Sequence, residues 1–252
     1  MCWEAFSKAR RFRQTHKQMK KTMPKRSKSE SGQAVLEFAL VTISLAFMLA
    51  GVFTVGELLS KALQVSNITR SAAVLMVRSI TDTKADLNLV LTQNQRILIR
   101  EANGLGMAKN AQYDPDPNGK GAVFLTKIIH VGGTECAASG ATAHGSAPLW
   151  DTGNCPNFDS YVWAYYVPIG NNTTWTSAFG TPQASDIHAD GTVTPTDIGQ
   201  DTAVQVPTAK VTAIITLAQS QYALIAETFA DVSSVAIFSV YKPPVVYYRT
   251  IT

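Results

Sequence analysis

The sequence predicts an α+β protein in which a long N-terminal helix, transmembrane in its first half, and a second helix pack on an antiparallel β-sheet head. Three observations carry this: an uncharged run of membrane length near the N-terminus, a helical hydrophobic period that continues beyond it, and a change to strand-like composition after Gly104. From Phe38 to Gly56 no residue is charged, about 19 in a row. At about 1.5 Å per residue such a helix crosses a hydrocarbon core of about 30 Å. The overall 46% hydrophobic content and near-zero mean hydropathy argue against several spans, so one span and one soluble domain fit a chain of 252 residues.

The helix is expected to begin near Gln33 and to continue past Gly56. Leu58, Leu59, Ala62, Leu63, Ile68, Ala72, Leu75, Met76 and Ile80 recur at three- and four-residue steps among Lys61, Asn67, Arg70 and Arg78. Thr81-Asp82-Thr83 offers a break. Leu87, Val90, Leu91, Ile97 and Leu98 then form a second amphipathic stretch that stops at Asn103-Gly104. Strands are expected over Ala122–Val131, Ser160–Val167, Lys210–Leu217, Tyr222–Phe229 and Ser234–Tyr241, all rich in β-branched and aromatic residues. Gln221–Asp231 also suits a short helix. Pro and Gly punctuate between these runs, and Pro243-Pro244 limits the last. The expected organisation is a basic leader over 1–32, a membrane helix over 33–56, a helical stalk and second helix over 57–103, and a β-rich head over 104–252.

The net charge of +4 hides an asymmetry. Lys8, Arg10, Arg11, Arg13, Lys17, Lys20, Lys21, Lys25, Arg26 and Lys28 precede the apolar run with only Glu4 and Glu30, leaving 12 of the 22 basic and 16 of the 18 acidic residues for the remainder. The basic segment lacks an apolar period, so it reads as disordered or as a leader to be removed. By the positive-inside rule the N-terminus stays cytoplasmic and the chain after Gly56 is exported. A basic head also suits nucleic acid, but its position beside a span makes topology the better explanation. It is too long for an ordinary secretory signal, the apolar run exceeds a typical h-region, and no clean A-x-A site follows.

Export divides the three cysteines into a cytoplasmic Cys2 and an exported pair, Cys136 and Cys155. A disulfide between the latter two would constrain the unfolded chain by roughly 3 kcal/mol. For metals, Asp186, Asp190 and Asp197 partly match a calcium loop, and Asp114-Pro115-Asp116-Pro117-Asn118-Gly119 matches only its opening. Both patterns also belong to plain turns, so no metal or other cofactor is assigned. His130 and His144 lack zinc spacing with the cysteines. No nucleophile-elbow, H-E-x-x-H, Walker or dinucleotide motif is present, which leaves an enzyme nothing to rest on. The aromatics Trp150, Tyr161, Trp163, Tyr165, Tyr166 and Trp175 are read as strand core ahead of a contact face. Asn171-Asn172-Thr173-Thr174 contains an N-x-T pattern, read as a turn.

Glu37 is the residue that composition does not explain. A carboxylate at the start of a membrane segment costs about 2.5–3.5 kcal/mol on insertion scales, so it needs a partner or a task. The stretch Ser31-Gly32-Gln33-Ala34-Val35-Leu36-Glu37-Phe38-Ala39-Leu40, behind a basic leader and ahead of an uncharged helix, resembles the processing site of type IV prepilins. Within that superfamily the chain looks most like the TadE-like minor pilins (pseudopilins) of tight-adherence pilus systems, with the likeness densest over about residues 25–80. Ala226-Glu227-Thr228-Phe229 and Tyr241-Lys242-Pro243 resemble that family's ending.

The resemblance implies cleavage between Gly32 and Gln33 by prepilin peptidase. Glu37 and Phe38 then become the fifth and sixth residues of the mature chain, and Glu37 sets register by pairing with the new amine of a neighbouring subunit. It further implies other pilins and pilus assembly proteins as partners and residence in a bacterial inner membrane, with the head periplasmic or extracellular. The alternative is an uncleaved single-span protein with an extracytoplasmic binding or adhesive domain.

Overall fold

The computed structural model of the chain describes residues 28–81, 95–102, 104–145, 149–232 and 245–252. The chain divides into two compact units, Met1–Phe53 and Thr54–Thr252. Helix α1 covers Lys28–Thr81, 54 residues, about 81 Å long at 1.5 Å per residue. It starts about a turn earlier than expected, because nothing from Lys28 to Gly32 excludes helical dihedrals. In the first unit it exposes its apolar side chains, among them Leu36, Phe38, Val41, Phe47 and Phe53. This one helix is long and apolar enough to cross a membrane. The leader through Ser27 lies outside the described residues.

In the second unit α1 turns one stripe inward. Val65, Ile68, Thr69, Ala72, Ala73 and Met76 are buried, at the alternating three- and one-residue steps that keep a single helical face toward a core. A short helix α2 over residues 95–101 adds Leu98 and Ile99 to the same core and is followed by Gly104 at φ +99, a backbone that favours glycine. The remainder of the second amphipathic stretch, with Leu87, Val90, Leu91 and Asn103, lies outside the described residues.

Among the described residues the head is a four-stranded antiparallel sheet in the order β2-β1-β3-β4: β1 Gly121–His130, β2 Tyr161–Gly170, β3 Tyr222–Ala230 and β4 Val246–Ile251. The α+β class stands. Between strands lie short helices α3 Gly133–Ala138, α4 Pro195–Gln200 and α5 Thr208–Thr212, with 3-10 turns at Ala184–Asp186 and Thr202–Val204. The side-chain period of two divides the sheet into faces. Val123, Leu125, Tyr165, Val167, Leu224 and Ala226 meet α1 and α2. Phe124, Tyr161, Trp163, Tyr166, Ala223 and Ile225 form a second core with Phe179, Val206 and Val211 from the later loops. A register shift between Lys127 and Ile128 lets Ile129, Val162 and Ala164 serve a third cluster around the cysteines.

The structure departs from expectation at Lys210–Leu217 and beyond Pro243-Pro244, and it decides between the two readings of Gln221–Asp231. Lys210–Leu217 is not a strand: Pro207 fixes a helical start, and Lys210 N and Val211 N turn back to its carbonyl at 2.8 and 3.4 Å, so α5 and a turn form despite the β-branched residues. Gln221–Asp231 is resolved in favour of strand, because β1 and β4 pair with it on both sides. Strand β4 lies beyond the expected strands: Pro243-Pro244 limits the last of those, yet Val246–Ile251 pairs with β3. Ser234–Tyr241 lies outside the described residues. Pro168 sits inside β2 opposite Phe124, which is tolerated because β2 is terminal in the sheet.

Candidate functional site

The residues singled out at the N-terminus share a solvent-exposed stretch of α1. Gln33 Nε2 donates to Glu37 Oε1 at 3.1 Å, so the side chain that follows Gly32 reaches the carboxylate one turn on. The hydroxyls in the apolar run satisfy themselves: Thr42 Oγ1 donates to Phe38 O at 2.8 Å and Ser44 Oγ to Leu40 O at 3.0 Å, as membrane-compatible helices require. Glu37 is the acid at this stretch, and Phe38 stands beside it 73% exposed. A Cβ built on Gly32, Gly51 or Gly56 meets nothing within 4 Å. These glycines are therefore not needed for packing within the chain.

In the head, Cys136 and Cys155 form the disulfide, with S–S 2.00 Å and Cα–Cα 5.8 Å, both fully buried. It ties α3 to the loop ahead of β2. Asn157, two residues on, donates through Nδ2 to Ile198 O at 2.9 Å and Asp201 O at 2.7 Å, which anchors α4 to the same loop. Glu135 reaches Gly132 N at 2.9 Å and Ser220 Oγ at 2.7 Å, which caps the start of α3 and ties it to the turn ahead of β3.

The candidate metal residues do not meet. Asp190 Oδ1 accepts from Thr192 N and Oγ1, Asp197 Oδ2 from Thr194 Oγ1, and Asp186 Oδ1 from Ser185 Oγ. Each carboxylate is engaged within its own turn, with Asp186 Oδ2 buried and without a hydrogen-bond partner. Among the described residues no three of His, Cys, Asp and Glu gather closely enough to hold an ion. Asp114 is likewise held by Asn110 and by Arg96, the latter at 2.9 Å, and hydrogen bonds from Asn110 and Arg96 keep its carboxyl below the ordinary value. His130 lies between Leu217 O at 2.8 Å and Asp159 Oδ1 at 3.1 Å, stacked on Tyr161, and so is part of the fold. Asn171 is buried and donates to Gly119 O, as a turn residue does. Tyr161, Trp163, Tyr165 and Tyr166 are buried core, with Trp150 and Trp175 partly buried at its margin.

A buried polar cluster went unread in the sequence. Glu227, fully buried on β3, accepts from Ser177 Oγ, from Tyr247 Oη at 2.6 Å and from Arg249 Nε at 3.2 Å. Burial, and then the carboxylate beside it, push the Tyr247 phenol upward. Tyr248, between them on β4, points to the other face, where hydrogen bonds from Ser66 and Arg70 of α1 lower its phenol. The signal was a glutamate in phase with Ala223, Ile225 and Phe229 on an inward-facing period of two.

No protein-family model, curated protein or solved structure matches the chain. The residues themselves bear the functional reading.

Proposed function

We propose that this chain is a TadE-like minor pilin: a bacterial inner-membrane protein with a cytoplasmic basic leader, matured by prepilin peptidase between Gly32 and Gln33 and assembled with other pilins through its N-terminal helix. One observation carries the reading. Gly32 and Glu37 sit at the head of an uncharged, outward-facing helix of membrane length, preceded by ten basic residues. Hydrolysis of the Gly32–Gln33 amide adds one water and leaves a carboxylate on Gly32 and an ammonium on Gln33. That ammonium arises one turn from Glu37, where the Gln33 amide already finds the carboxylate at 3.1 Å. In an apolar assembly, a carboxylate left without a cation costs several kcal/mol, so pairing with a neighbour's amine fixes axial register. The buried disulfide accords with an oxidising compartment for the head.

The test is intact mass and N-terminal sequencing of the protein from membranes of its own host. We expect a mature start at Gln33, abolished by Gly32→Ala. Because a Cβ at Gly32 touches nothing, loss of cleavage in that variant reports recognition and not misfolding. A chain that retains its leader in cells with active peptidase removes the proposal. Glu37→Ala should leave cleavage intact and abolish incorporation into filaments, whereas a plain anchor inserts as well or better without the charge. The second reading, an uncleaved anchor displaying a binding domain, draws on the disulfide-stapled loops of the head and is what the uncleaved outcome would leave standing.

A further inference from the structure

A cavity of about 340 Å³ opens on the head where four separate stretches of chain meet: the start of α2, the end of β2, the loop that follows it and the turn at residues 187–191. Its apolar floor is Val167, Pro168 and Pro182, and Gln95, Asn172 and His188 stand around it. The backbone fixes this shape. Tyr166 N donates to Gly191 O at 2.8 Å, and the turn closes on itself through His188 N to Thr192 O at 2.9 Å and Gly191 N to His188 O at 2.8 Å. Gly191 holds φ +85, and a Cβ there would strike Val167 Cγ2, so only glycine allows this approach. On the opposite side Asn171 Nδ2 donates to Gly119 O at 2.8 Å, which pins the loop that carries Asn172.

Three polar side chains around the cavity are left over from folding, whereas Thr181 is bonded to the Tyr166 hydroxyl. Among the described residues, the side chains of Gln95 and Asn172 make no hydrogen bond, and His188 has only the nearby charge of Asp190. Preformed walls with a few convergent polar groups are the usual composition of a small-ligand site.

The lining also restricts what fits. It contains no Asp, Glu, Lys or Arg, and Asp190 beside it is spent on Thr192, so the lining itself offers a phosphate, carboxylate or cation no dedicated counter-charge. Of its two aromatic rings, Tyr166 is 4% exposed and the other is the small imidazole of His188, so no large aromatic platform faces a nucleobase. An extended peptide would need a free strand edge, but β2 is already bridged along that side to Thr192 and Gln205. Amide and imidazole groups over an aliphatic floor match a ligand with many hydroxyls and an apolar ring face. The volume lies near the lower end of the roughly 300–1,000 Å³ of small-ligand sites, room for one or two sugar rings.

We propose that the head binds a neutral mono- or disaccharide in this cavity. The site is independent of maturation at Gly32, and either proposal can fail without the other. The experiment is ligand-observed saturation-transfer NMR on the full chain in nanodiscs free of glycolipid and of glycosidic detergent. The probes are methyl glycosides of glucose, galactose and mannose, maltose and lactose, set against glucose 6-phosphate, N-acetylneuraminic acid and a proline-rich peptide. We expect saturation of at least one neutral sugar, a dissociation constant raised roughly tenfold by Gln95→Ala with Asn172→Ala, and loss of binding in Ala189→Trp, which fills the mouth. Gln112→Ala, exposed and outside the lining, should bind as the parent does. No saturation of any neutral sugar, equal binding by all variants, or preference for a charged sugar or the peptide would overturn the proposal.

Discussion

Glu227 is the residue whose placement demands most of its surroundings. A fully buried carboxylate is tolerable only with several donors, and Tyr247 and Arg249, 20 and 22 residues away, supply two of them. Glu227→Ala is expected to lose about 3 kcal/mol in urea denaturation, with Glu227→Gln losing less because it keeps an acceptor. A second buried contact, Thr69 Oγ1 to Thr228 Oγ1 at 2.7 Å, joins α1 to β3. Either Thr→Val alone should cost about 1–2 kcal/mol, and both together less than their sum, because neither partner is then left unsatisfied. Acid sensitivity also belongs at this scale. The hydrogen bond from Gln219, aided by His130, holds the Asp159 carboxyl below its ordinary value of 3.8. A folded-state value lower than the unfolded one gives stability that is present above that pH and lost as pH falls through the folded value. Gln219→Ala should therefore shrink the loss of stability seen on acidification below about pH 4, in melts recorded across that range; an unchanged slope would refute it.

Among the elements, the disulfide and β4 hold the head together in different ways. The Cys136–Cys155 bond spans a separation of 19 residues, so replacing both cysteines with alanine should lower unfolding free energy by about 3 kcal/mol, measured against the oxidised parent. Strand β4 grips both sides of its surroundings: Tyr247 and Arg249 on Glu227, Tyr248 on Ser66 and Arg70. Deleting residues 245–252 should abolish the near-ultraviolet circular dichroism of the packed aromatics, since it strands Glu227 and opens β3. Helix α1 was legible because its period and its freedom from charge repeat over many turns. Strands β1 and β2 were legible from dense β-branched and aromatic runs. The region over 210–217 misled because the same residue types sit behind Pro207, whose fixed φ and missing N–H favour a helical turn. Strand β4 hid behind Pro243-Pro244, because prolines end local pairing but do not prevent the chain from returning to an open edge.

At the scale of the whole molecule, an exposed apolar helix on one unit and a disulfide-stapled sheet in the other define what the chain does in solution. The full chain should stay in the membrane fraction through an alkaline carbonate wash and leave it only with detergent; release by carbonate alone would refute a spanning helix. The sequence by itself determined the membrane-length helix, the change to strands after Gly104, the cysteine pair and the Gly32–Glu37 spacing, because each is written in neighbouring residues or in a simple count. Tertiary structure alone decided that Asp186, Asp190 and Asp197 spend their carboxylates on separate turns. It alone decided that Glu227 is buried under β4, and that Gln95, Asn172 and His188 surround one cavity. Those outcomes depend on contacts between residues tens of positions apart, which packing selects and which no local pattern encodes.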